Sequence, residues 1–167
     1  MRRIDFKPLT VEGFAKYGTF ANMINPDTPK IGAAPIEFYR DMVQSTLGNK
    51  TSPSFSVCRV TKREPVVNVS EFHNHCGEIV MPIDGDIVMH LGPATPDAEV
   101  PVDDIEIFHV PKGTLCCLKP GTWHHAPYAY KSECVNCLIV LPERTYATDC
   151  TVVEIPPEKH LYINNVE

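Results

Sequence analysis

Phe72-His73-Asn74-His75-Cys76-Gly77-Glu78 is the stretch that decides how the rest of the chain is read. Residues two apart on an extended strand point to the same face. His73 and His75 are therefore expected to aim both imidazoles one way, with Glu78 close behind. A second segment, Lys119-Pro120-Gly121-Thr122-Trp123-His124-His125, lies further along, and its Pro-Gly turn can bring His124 back to the same place. Three imidazoles and a carboxylate suit a divalent transition metal such as Zn, Ni, Mn or Fe. A lone His-x-His is commonly a pair of hydrogen-bonding histidines, but two matching segments favour a shared metal site.

Outward from these segments the chain reads as β. Ser54 to Val60 alternates, and Glu78 to Ile83, Asp86 to Leu91, Ile105 to Val110, Thr114 to Leu118, Cys134 to Leu141 and Cys150 to Ile155 are short β-rich runs. Turn residues separate them, with Asp84-Gly85 a good hairpin turn, so a sandwich or barrel is expected. Before them, Pro8 to Tyr17 reads as a short helix with Thr10 as its cap. Asn25 to Pro35, rich in Pro, Gly and Asp/Asn, reads as loop, and Ile36 to Leu47 fits neither a helical nor a strand period well. No linker interrupts the pattern, so residues 1–167 are expected to form one domain.

Composition narrows the function. Fifteen basic against twenty-one acidic residues give a net charge of −6, with no basic cluster to displace phosphate counterions, which argues against nucleic acid. Sixteen prolines make a mostly helical fold improbable. No apolar run nears the ~20 residues that span a bilayer, so no membrane partner is expected. Met1-Arg2-Arg3-Ile4-Asp5 has charge but no apolar segment behind it, so no secretory signal is expected, and the seven cysteines are expected to be reduced thiols in a cytoplasmic protein. Cys134-Val135-Asn136-Cys137 has the spacing of half a zinc ribbon but no second pair to match it.

The two histidine segments resemble the motifs of the cupin superfamily. The first cupin motif has His-x-His, a Glu, and a Gly seven residues later, where His73, His75, Glu78 and Gly85 stand. The second is matched by Gly113, Gly121 and His124, with Lys119 where a Pro is usual. Only Cys76 and Gly77 separate His75 from Glu78, where three or four residues are usual; a bulge at Gly77 could restore the direction of Glu78. Within cupins the chain is similar to the ureidoglycolate lyase family. Pro8 to Gly18 resembles that family's opening, and Gly121-Thr122-Trp123-His124-His125-Ala126-Pro127 is its most specific match.

The resemblance implies an all-β cupin jelly-roll barrel with a short N-terminal helical segment, working as a homodimer on a small-molecule substrate. It also implies release of glyoxylate and urea from ureidoglycolate, with metal held by His73, His75, Glu78 and His124. His125 is the candidate acid or base. Arg59 and Lys119 are the candidates for binding the substrate carboxylate, and Arg59 is favoured for its two-pronged grip. A different metal-cupin enzyme, an isomerase or Fe(II) dioxygenase, would use the same ligands. A metabolite-binding cupin without turnover is the non-enzymatic alternative.

Overall fold

The computed structural model describes residues 1–166. Its centre is a pair of sheets whose strands come from distant parts of the chain. One sheet runs in the order β3 (Gly18–Asn22), β12 (Thr114–Leu118), β9 (Glu78–Pro82), β14 (Cys134–Pro142) and β6 (Pro53–Thr61). The other runs β13 (Tyr128–Tyr130), β10 (Asp86–Leu91), β11 (Glu106–Val110) and β2 (Phe6–Pro8). Every pairing in the first sheet is antiparallel; in the second, β2 joins β11 in parallel.

Alternation along β10 explains why Asp86–Leu91 reads as a nearly unbroken apolar run. Ile87, Met89 and Leu91 enter the core between the two sheets, beside Val80, Phe108, Leu118, Val135 and Cys137. Val88 faces the other way, into a second core with Ile107, Trp123, Leu161 and Ile163. The strand is thus buried on both faces, and burial of each such side chain favours folding by roughly 1.5–3 kcal/mol. The second core lies against β1 (Arg2–Ile4), β16 (Leu161–Ile163) and β7 (Val66–Val67), which form a three-stranded sheet.

The helical expectation near the start shrinks to one turn, α1 (Val11–Phe14), where the Thr10 hydroxyl accepts from the Gly13 amide at 3.1 Å. Phe14 and Tyr17 then drop fully into the first core. The segment read as loop up to Pro35 contains half of a hairpin: β4 (Lys30–Ala33) pairs with β5 (Ile36–Tyr39). Both strands are largely exposed, so they lack the in–out burial that makes a strand legible. Two further strands frame the candidate site, β8 (Val69–Phe72) and β15 (Thr151–Glu154), which pair antiparallel. A single helical turn, α2 (Thr145–Thr148), precedes β15.

Candidate metal centre

His73 and His124 reach the same point from two well-separated segments of the chain. Past Phe72 the chain leaves β8 and bends through residues 73–77 before β9 begins at Glu78. Glu71 and His124 form an isolated antiparallel bridge, with the Glu71 amide 2.6 Å from the His124 carbonyl and the His124 amide 2.8 Å from the Glu71 carbonyl. Gly121, at φ 79°, turns the chain into that bridge, and its amide donates to the His73 carbonyl at 2.7 Å. That φ is one glycine adopts without steric cost.

Strand alternation decides the first face. Ser70 and Phe72 point toward the second core, while Glu71 and His73 point into a cavity of about 200 Å³ at one end of the barrel. Glu78 and Val80 enter the same cavity from β9. Ligand atoms of Glu71, His73 and His124 all lie within 4.8 Å of one another. Glu78 sits against both imidazoles, its Oε2 3.0 Å from His73 Nε2 and 2.8 Å from His124 Nε2.

The far sides of the rings fix their tautomers. His73 Nδ1 is 2.6 Å from the Asp149 carbonyl, and His124 Nδ1 is 2.8 Å from the Thr122 carbonyl. A carbonyl only accepts, so both Nδ1 atoms carry hydrogen. Each Nε2 then either donates as part of an imidazolium or offers a lone pair to a cation beside Glu78. Without a cation, His124 and Glu78 form a buried ion pair. Burial alone would lower the His124 pKa, but the Glu78 carboxylate overcomes it and raises it to about 9. Burial alone would raise Glu78, but His124 and His73 hold it down at about 2. Two imidazole nitrogens and the Glu71 carboxylate, all within 4.8 Å of one another, are a donor set of the right chemistry for a divalent metal, with Glu78 hydrogen-bonded beside them.

The structure does not bring His75 to this cluster. Its ring is 77% exposed and bonds to Asp149 Oδ1 at 3.1 Å, beyond the bend. The reason is register: His73 already occupies the inward position, and the chain leaves extended geometry immediately after it. Glu71 takes the inward place two residues earlier, so the pattern is Glu71-x-His73, four residues, Glu78. That spacing removes the apparent shortfall between His75 and Glu78, and no bulge at Gly77 is needed. Cys76 is buried outside the cavity lining, its thiol within reach of Asp149.

His125 does line the cavity, half-buried; burial pushes its pKa down, with Glu71 opposing. Arg59 and Lys119 lie outside the cavity. Arg59 is exposed and donates from Nε to Asn136 Oδ1 at 2.9 Å, while Lys119 Nζ donates to the Ala15 carbonyl. Arg59 stands on the outward face of β6, whose neighbour Cys58 faces the cavity. Two buried residues support the ligands from behind. Ser70 Oγ donates to the His124 carbonyl at 3.1 Å and stands 3.0 Å from His90 Nε2. Burial holds His90 neutral, with its pKa near 3.

Known structures align with the chain at low identity. A dTDP sugar isomerase from Desulfovibrio desulfuricans G20 aligns at TM-score 0.51 and 13% identity, over 83% of each chain. A dTDP-4-dehydrorhamnose 3,5-epimerase from Elizabethkingia anophelis NUHP1 aligns at TM-score 0.47 and 9% identity, over 83% of this chain and 84% of that one. An oxalate decarboxylase of Bacillus subtilis aligns at TM-score 0.43 and 13% identity, over 62% of this chain; the match spans only 24% of the decarboxylase chain. No curated protein matches the sequence. Among the described residues, no helix is long and apolar enough to cross a membrane. The architecture is an all-β cupin-type jelly roll with little helix, the fold it shares with the isomerase. A family match covers residues 36–165, and the chain therefore belongs to the family described as Domain of unknown function (DUF4867).

Proposed function

We propose that the protein is a metal-dependent acid–base enzyme acting on a small acid that carries an oxygen on its α-carbon. The observation that carries this reading is the convergence of His73 Nε2 and His124 Nε2 on Glu78, with Glu71 and His125 in the same cavity. A divalent cation there supplies Lewis acidity to a carboxylate and its neighbouring oxygen. The carbonyls of Asp149 and Thr122 hold both ligand rings in one tautomer. His125 is the one cavity imidazole outside that set; it takes a proton from the substrate hydroxyl or α-carbon and returns it to the product. The apolar walls keep water from the reacting atoms.

Ureidoglycolate, implied by the resemblance of Gly121 to Pro127, has the required hydroxyl and carboxylate. The two cations expected to hold its carboxylate, Arg59 and Lys119, are outside the cavity, and a cation held by Glu71, His73 and His124 would supply that charge. The first experiment is elemental analysis of protein purified without chelator. About one divalent metal per chain is expected, lost in a His73→Ala/His124→Ala double variant and weakened about 10–100-fold by Glu71→Ala. His75→Ala is expected to retain the metal. His125→Ala should keep the metal and lose turnover of whichever α-hydroxy acid the unaltered protein consumes. Absence of metal in the unaltered protein, after reconstitution with Zn, Ni, Mn and Fe, would sink the reading.

A second reading has its own support. Two histidines with a carboxylate also form the ligand set of Fe(II) oxygenases. Oxygen consumption that requires iron, and is absent with zinc or nickel, would favour it. Tight binding of an acid with no turnover under any metal would leave a metabolite-binding cupin.

A further inference from the structure

We propose that the substrate is a monocarboxylic acid with a compact aliphatic body, and that the site rejects small acids carrying a second charge or a polar tail. This deepens the functional reading above and rests on it. The cavity has two unlike ends. Its carboxylates and imidazoles are all gathered at the metal end, on Glu71, His73, Glu78, His124 and His125. Val80, Met89, Ala126, Pro127, Ile139 and Leu141 line most of the remainder, joined by the Cys58 thiol, by the Cys150 thiol that donates to Glu71 Oε2, and by the largely exposed Tyr146. Val80 follows Glu78 on the same face of β9 and lies directly opposite Ile139 of β14, so the apolar wall starts next to the ligands and continues across two strands.

Among the described residues, the lining contains no Lys or Arg. Arg59 and Lys119 are engaged elsewhere. Arg63 lies outside the lining, where its Nη2 donates to the Ala126 carbonyl at 2.8 Å and its guanidinium stacks 4.2 Å over Tyr128. A cation held at the metal end by Glu71, His73 and His124 would have open positions for one substrate carboxylate. A second carboxylate would be buried against valine and isoleucine with no partner, which is costly. Size points the same way. About 200 Å³ is below the roughly 300–1,000 Å³ of pockets that enclose drug-sized ligands. That space suits a chelating head with a few carbons.

Calorimetric titration of the metal-reconstituted protein tests this with glycolate, 2-hydroxybutyrate, 2-hydroxyisovalerate, malate and ureidoglycolate. Affinity is expected to rise along the first three, about fourfold for each methylene buried. Malate and ureidoglycolate are expected to bind more weakly than 2-hydroxybutyrate. Ile139→Ala is expected to retain the metal and lose about tenfold in affinity for 2-hydroxyisovalerate relative to glycolate. Affinity that stays flat or falls along the aliphatic series overturns the inference, as does malate or ureidoglycolate binding tightest. A metal-loaded protein with the wrong preference defeats this inference alone. A protein that takes up no metal defeats the functional reading and this inference together.

Discussion

Ser70 shows how a residue that touches no substrate can matter to the site. Its hydroxyl donates to the His124 carbonyl and accepts from His90 Nε2, which burial keeps neutral. Replacing it with Ala leaves a buried N–H and a buried carbonyl without that partner. Ser70→Ala is therefore expected to destabilise the fold by about 1–3 kcal/mol, read by urea denaturation, whereas a loss below ~0.5 kcal/mol would show that water or a small shift satisfies both groups. Glu71, by contrast, could have been found in the sequence. The residues His73, Glu78, Gly85 and His124 were all legible, but the His73-x-His75 pair drew the inward stride two residues too late. Moving that stride back by two gives four residues before Glu78. What the sequence could not show is the bend at residue 73, because nothing local in Asn74-His75-Cys76 dictates that extended geometry stops there. The exposure of Arg59 was equally hidden: it alternates with Cys58, and either face of β6 could have been the inner one.

Among elements, legibility follows burial. Strands β9, β10, β11, β12 and β14 read clearly because their apolar residues fill two cores. Strands β1, β2, β7 and β16 are two or three residues long and pair with distant partners, so periodicity has no room to show. Their attachment is partly ionic. Glu106 on β11 accepts from Lys7 of β2, from Lys16, and from the Tyr17 hydroxyl at 2.6 Å, tying β2 and the turn after α1 to the four-stranded sheet. Partial burial would raise the Glu106 pKa, but Lys16, Lys7 and Tyr17 hold it down at about 2 against an ordinary 4.5. A carboxyl depressed in the folded state adds stability that is fully present above its unfolded value and is lost as pH falls toward the folded one. The protein should therefore lose stability between pH 4.5 and 2 in part through this group. In Glu106→Gln the thermal midpoint is expected to be lower at pH 6 and to fall less steeply below pH 4.5. An unchanged slope would show that the cluster is screened by water.

For the molecule as a whole, the family boundary is not a folding boundary. The match begins at residue 36, yet Phe14 and Tyr17 are wholly buried in the first core and β3 pairs with β12 along five residues. A fragment of residues 36–165 lacks these side chains, and loss of a large core aromatic costs roughly 3–5 kcal/mol each. It is expected to be unfolded or aggregated, as dispersion in its proton NMR spectrum would show. A well-dispersed spectrum would mean that the N-terminal strands are an appendage. The Glu71–His124 bridge carries a different consequence. Two proposed ligands sit on one rung between segments that the chain itself joins only by a long detour. An ion seated there would act as a rivet, opposing any parting of the rung while it is bound. Amide exchange at Glu71 and His124 is thus expected to slow on metal loading by more than exchange in the exposed β4–β5 hairpin, which makes these two protons a gauge of occupancy in the intact protein.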